Sequence, residues 1–383
     1  MDTASYKVKV NNWEVSSADD PRTELLRLDC RTGFGDPTSC VEILLYLVPA
    51  PKPGLLEQAI GAAASALDLS DAVSEPAFSI SVRGIEVKHN DTLLIQLANG
   101  DRSSTVMTAT VDTIQSTLEY TRIVARTALH TLACTRVNHT YQNQSVRQIV
   151  NDLAQQASVD VGDVDTGSTY PCLPVHESRT VLGTLTELGK REGFDVYVDV
   201  DNKLTMKAYS KSSADHTLYY AIDILSLSMD HRPQQPVRVV VVGESPSSSQ
   251  GSSAWPWIVR DSSSVKGEVG SGNALLALRD GALRSKDAVD LFAKQKFGAA
   301  KDVTSRGRCR LLGNPLIKLG DAIEIKDAPK PELNGLFKVT QVRHVLSKSE
   351  GFLTHVEFSD QGGAASADSL LGSLGKLAGA IGI

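Results

Sequence analysis

Between Gly313 and Ser359 apolar residues recur at a two-residue period in three short runs. These are Ala322, Ile323 and Ile325; Phe337, Val339 and Val342; and Phe352, Val356 and Phe358. Gly313, Asn314-Pro315, the Pro329–Pro331 cluster, Asn334-Gly335 and Gly351 punctuate them, at the points where a turn needs a positive or a fixed φ. Period two with short turns specifies antiparallel strands, because a parallel pair needs a crossover of a dozen or more residues. A meander or barrel edge is predicted for this stretch.

The same alternation opens the chain. Strands are expected at Tyr6–Val10, Leu25–Cys30 and Val41–Val48, and again at Phe78–Val87, Thr92–Leu97, Val106–Ile114 and Arg122–Thr127. Between these groups Leu56, Ala59, Ile60, Ala63 and Leu67 fall at helical spacing, so residues 54–69 read as a helical insertion. Covering one end of its own barrel is the favoured role for that helix. From Ser145 the period becomes 3.6: Val146, Ile149, Val150, Leu153, Ala154 and Ala157 share a face, and Ser145 with Gln148 forms a capping box. A second helix is expected from Ser178 to Gly193, followed by a hairpin of Phe194–Val198 and Leu204–Ala208 turning at Asp201-Asn202. Val237–Val242 reads as a buried strand, 244–273 as a Ser/Gly-rich loop, and Ser285–Phe297 as a helix ended by Gly298.

The expected organisation is therefore a first β-barrel at 1–134, a small α/β unit at 140–212, a second barrel at 213–361 and a tail at 362–383. The fold class is β-rich α+β. At 383 residues the chain is long enough for two or three cores. Its five cysteines are scattered without CxxC spacing, so neither a disulfide framework nor a zinc knuckle is expected. A formal charge of −6 argues against a dedicated nucleic-acid surface. The longest apolar run, around Val41–Pro49, contains Glu42 and is half a membrane span, and no signal peptide is evident; no membrane anchor is expected.

No catalytic constellation appears: HExxH, GxSxG, GxxxxGK[ST] and a strand–GxGxxG–helix are all missing, and Gly33-Phe34-Gly35 is too short and too β-flanked for a nucleotide loop. His344 and His355 could meet across a hairpin, but two ligands without a nearby acid or thiol make a poor metal site. Asp19-Asp20 and Glu187 with Glu192 read as carboxylates of a solvated face. The chain is expected to be no enzyme and to hold no metal or cofactor. Two segments are candidate partner contacts. Trp255 and Trp257 flank a proline in the Ser-rich loop, where docking a partner and packing on the chain's own barrel are equally open. Leu370, Leu371, Leu374, Leu377 and Ile381 follow helical spacing in a tail whose four interspersed glycines each weaken an isolated helix by roughly 1 kcal/mol, so that the tail needs a partner to be ordered.

The order of Gly313, Pro315, Gly320, Asp321, Gly335, Phe337, Val339, Val342, His344, Gly351, Phe352 and Thr354 resembles the end of the tail-hub proteins of contractile phages, the late control protein D and VgrG-type hub superfamily. The two-helix and hairpin unit is similar to the module that sits between that family's barrels. The resemblance implies two tube-like antiparallel barrels flanking an α/β domain, assembled as a homotrimeric, pseudo-hexameric ring in the baseplate of a phage or related injection particle. Its implied partners are a spike or needle protein, the tail tube or a tube initiator, other baseplate proteins and the tape measure protein. With about two dozen residues after Ser359, a hub-only chain with a separate spike is expected. A secreted or surface carbohydrate-binding β protein is the alternative, disfavoured by 5% aromatic residues and no signal peptide. A cell-wall hydrolase stands lower still, for want of a catalytic carboxylate or Cys-His pair.

Overall fold

The computed structural model describes residues 4–10, 13–17, 25–46, 79–82, 85–231, 237–243, 265–302 and 305–360. The first group of strands is β1 (Ala4–Val10), β2 (Trp13–Ser16), β3 (Leu25–Gly33), β4 (Cys40–Tyr46), β5 (Ser79–Val82), β6 (Ile85–Lys88), β7 (Thr92–Asn99), β8 (Arg102–Ser116) and β9 (Tyr120–Arg126). Next come α1 (Ala128–Cys134), β10 (His139–Ser145), α2 (Val146–Gln156), β11 (Val161–Val164), β12 (Thr169–Val175), α3 (Val181–Glu192), β13 (Phe194–Val198) and β14 (Leu204–Ala208). The remainder is β15 (His216–Tyr219), β16 (Ile224–His231), β17 (Val237–Val242), β18 (Lys266–Val269), β19 (Ala274–Arg279), α4 (Lys286–Asp302), β20 (Ser305–Leu312), β21 (Ala322–Lys326), β22 (Gly335–Ser347) and β23 (Gly351–Asp360). The chain is thus β-rich α+β.

The two expected barrels are not separate closed units. Their strands form one thirteen-stranded sheet in the order β16-β20-β23-β22-β3-β4-β9-β8-β7-β1-β2, with β21 on β22 and β15 on β21. Among the described residues the path is open at β16 and β2. The joint is β22. Its first residues, Gly335–Lys338, pair with β21, and Gln341–Ser347 pair with β3 on the same edge. A register shift between Val339 and Gln341 falls where the partner changes, the local kink that one extra residue provides. The expected single strand Phe78–Val87 is instead the hairpin β5–β6, with Phe78 outside the described residues.

Three cores follow from these elements. Leu28, Val41, Ile95 and Ala125 lie in the core of the N-terminal strands, and Ile323, Val339, Val356 and Phe358 in that of the C-terminal strands. The third core is built on α2 and α3. In α2, Val146, Ile149, Val150, Leu153 and Ala154 are buried, and its capping box is present: Gln148 N–H donates to Ser145 Oγ and Ser145 N–H to Gln148 Oε1, at 3.4 and 2.9 Å. Helix α3 starts two to three residues later than the expected Ser178, because Thr180 Oγ1 accepts from Gly183 N–H and so serves as the cap. It ends at Gly193, whose φ of 76° is the left-handed conformation that releases a helix.

Two further differences concern β17 and α4. Both were expected in the second barrel, yet Val239 and Val241 of β17 and Val289, Phe292 and Ala293 of α4 are buried with the α2–α3 core. Strand β17 pairs with β18 and β19 in a separate sheet on which α4 lies. Helix α4 also runs through Gly298, because a lone glycine costs only about 1 kcal/mol against propagation of a helix anchored at Phe292. The insertion at 54–69, most of the 244–273 loop and the 362–383 tail lie outside the described residues.

Candidate functional site

The residues with the most chemistry are spent on structure. His344 and His355 point to opposite faces of the β22–β23 pair, since His344 is opposite Thr354 and His355 is opposite Arg343. His344 is buried and shares a 3.1 Å hydrogen bond with Thr354 Oγ1. Burial drives its pKa down to about 4, so the ring is neutral at pH 7. Glu192 is not a solvated carboxylate. It is buried and accepts from Ser168 N–H, Ser168 Oγ and Tyr170 Oη at 3.0, 2.9 and 2.8 Å, tying the β12 approach to the end of α3. Burial and the adjacent Glu192 charge push the Tyr170 hydroxyl far up. Cys309 is raised to about 12 by burial alone, which removes it as a nucleophile at neutral pH. Among the described residues no three His, Cys, Asp or Glu side chains form a metal-holding cluster, and no helix is long and apolar enough to cross a membrane.

Side chains instead converge where the three cores meet. Lys338 on β22 places its ammonium 2.7 and 2.5 Å from the two carboxylate oxygens of Asp195 on β13. The same ammonium lies 4.6 Å from the ring centroid of Phe34 and 4.7 Å from that of Tyr209. One cation therefore ties the β3–β4 turn, the β13–β14 hairpin and the C-terminal strands together. Phe34 also meets Tyr197 edge-on at 5.4 Å, and Gly35, with φ of 58°, donates its N–H to Val196 O at 2.7 Å. The Gly33-Phe34-Gly35 turn, dismissed as a nucleotide loop, is thus a clasp. Nothing in its sequence signals this, because the rings and the cation come from positions more than 150 residues downstream.

Asp321, part of the Gly-Asp pair in the C-terminal pattern, is a second knot. It accepts from Lys211 Nζ at 2.9 Å and Lys318 N–H at 2.7 Å, and it pairs with His216 Nε2 at 3.1 Å. Burial acts to raise its pKa, but His216 and Lys211 overcome this and hold the carboxyl below the usual range. Arg191 on α3 closes the other side with a 2.7 Å bond to Asp280, ahead of α4. Such a lattice can hold the two groups of strands and the α/β unit in one fixed geometry. Trp255, Trp257, Leu370, Leu371, Leu374, Leu377 and Ile381 lie outside the described residues.

Lys338→Met should test the clasp. It keeps most of the side-chain volume but strands the mostly buried Asp195 carboxylate and removes both ring contacts, an expected loss of about 2–3 kcal/mol. Urea unfolding of the variant beside Lys338→Arg is the measurement. An unchanged midpoint for the methionine variant would show that the clasp contributes nothing.

No protein-family model matches the sequence, and no curated protein matches it either. Solved structures do. The 43 kDa tail protein of prophage MuSo2 from Shewanella oneidensis is 11% identical, with a TM-score of 0.63 over 94% of this chain and 98% of that one. The tail protein from Neisseria meningitidis MC58 is 13% identical, with a TM-score of 0.64 over 94% and 97%. The Escherichia coli c3393 protein, a type VI secretion component described as similar to bacteriophage T4 tail proteins gp27 and gp5, is 10% identical with a TM-score of 0.52 over 94% and 80%. At these identities the likeness is one of fold, and it extends over nearly the whole chain.

Proposed function

We propose that this chain is a structural hub of a phage-type tail, a homotrimer in the baseplate that adapts a threefold spike to the sixfold tail tube. The carrying observation is the fold likeness, over 94% of the chain, to a prophage tail protein and to a second tail protein, in a chain whose two groups of strands are fused through β22. A threefold spike cannot offer six equivalent surfaces to a sixfold tube. Three chains, each with two β-rich lobes, supply six similar surfaces on one ring. The side-chain knots around Lys338 and Asp321 suit that role, because lobes that pivot freely would not keep six surfaces in register.

The partners on this reading are the spike or needle, the tube or its initiator, neighbouring baseplate proteins and the tape measure protein. The role is non-enzymatic, and the protein resides in the virion tail. Light scattering should give three times the 41.0 kDa chain mass for the protein alone at high concentration, or that mass plus the spike's own with the spike bound. A monodisperse monomer that associates with neither spike nor tube overturns the reading.

A further inference from the structure

Four adjacent strands present one row of side chains on the face away from the core. By register Arg31 on β3 lies opposite Arg343 on β22, Arg343 opposite His355 on β23, and His355 opposite Arg310 on β20. The residues next to them in sequence, Cys30, His344, Thr354, Val356 and Leu311, are buried and so point the other way. Arg308 sits one row along, opposite Glu357. Together these side chains line a groove of about 400 Å³.

Like charges placed directly opposite destabilise a sheet, so a row of three arginines and a histidine runs against the fold's own interest. Arg343 of this row and the arginines elsewhere on the face are answered. Asp29 takes both Arg343 and Arg27, Glu42 takes Arg122, and Asp112 takes Arg126. Among the described residues no carboxylate pairs with Arg31, Arg308 or Arg310. The Nε of Arg310 is sealed from solvent and has no acceptor at all, which is costly for a charged group. His355 feels the same field: burial and then the Arg343 and Arg310 charges lower its pKa. A chain of formal charge −6 has gathered unanswered positive charge in one groove.

We propose that this groove docks an extended, carboxylate-bearing segment of a partner protein, laid across β3, β22, β23 and β20. Neighbouring strands are about 4.8 Å apart, so Arg31 and Arg310, three strands apart, are separated by roughly 14 Å. An extended chain advances about 3.4 Å per residue, so acidic residues at i and i+4 span the same distance. A third at i+2 falls over Arg343 and His355. The motif is therefore an acidic residue at every second position, over five residues. Guanidinium forks take such carboxylates with two parallel hydrogen bonds. Nucleic acid fits less well, because Asp29, Glu42, Asp112 and Glu357 share the face and would repel a continuous run of phosphates. The assignment uses only this face and stands whether or not the chain is a hub.

The test is fluorescence anisotropy of a labelled peptide containing Glu-Thr-Glu-Thr-Glu, titrated with the full chain beside its all-Gln counterpart and a single-stranded oligonucleotide. Binding of the acidic peptide alone is expected, weakened at least tenfold in the double variant Arg31→Gln, Arg310→Gln and unchanged in Arg122→Gln. A photo-crosslinker on the peptide, used with the unaltered protein, should label β3, β20, β22 or β23, which keeps the test valid if the double variant fails to fold. Absence of acidic-peptide binding, equal binding by the Gln peptide, tighter binding of the oligonucleotide, or crosslinks confined to other elements would each overturn the proposal.

Discussion

Replacing Phe358 with alanine should cost the protein about 3–5 kcal/mol, the range for emptying a fully buried aromatic site. Phe358 is 1% exposed and packs against Phe337 with ring centroids 4.9 Å apart. Its ring also lies under Gly307, where a Cβ would come within 2.3 Å of it. The surrounding core is small and made of β-branched residues such as Ile323, Ile325, Val339 and Val356, which are held in the pleat and cannot collapse into a void. Phe358→Leu should lose much less, since it fills most of the space. Thermal and urea unfolding followed by circular dichroism decide the matter. A variant as stable as the parent would mean that this core relaxes freely, against the close packing described for it.

The second large effect is a loss of stability in mild acid. His344 is neutral and buried in the folded chain with a pKa of about 4, whereas an unfolded histidine titrates near 6.5. Between those values the unfolded chain binds a proton that the folded chain refuses, so stability falls as pH drops from about 6.5 to about 4. The difference corresponds to about 3 kcal/mol over that window. His355, also lowered by burial and by Arg343 and Arg310, adds in the same direction. The slope fades as pH rises through the unfolded value and is gone by about pH 7.5. His344→Gln should therefore flatten the curve of unfolding free energy between pH 4 and 7, whatever it does to stability at pH 7. Parallel curves for parent and variant would show that His344 is not held neutral by its surroundings.

What could be read from the sequence was local. Ser145 and Gln148 announced the start of α2, Gly193 the end of α3, and the alternation after Gly313 all three final strands, because caps, left-handed turns and period two act over a few residues. Strands β10 and β12 were missed for equally local reasons. HTYQNQS buries fully only Tyr141, and TYPCLPV carries two prolines, so neither has the profile of a sheet interior. Helix α4 had the right period, but periodicity says nothing about which core a helix joins. The joining of β22 to β3 was invisible for the same reason, since no short-range rule pairs residues over 300 positions apart. The site suffered most. Phe34, Lys338 and Asp195 each look ordinary alone, as do Arg31, Arg343 and Arg310, and only strand register brings them together.

That register also sets a timetable. Strand β3 finds β4 within a few residues, but its other edge waits for β22, with Asp29 and Arg343 lying 314 residues apart. At synthesis rates of about 5–20 residues per second, that edge stays unpaired for roughly 15–60 s on the ribosome. An unpaired edge is a template for other chains, and many ribosomes on one message would hold several such edges close together. The last thirty or so residues of the described fold thus act as a late zip for the first, and a nascent chain stalled before Ser347 would be the species most prone to aggregate.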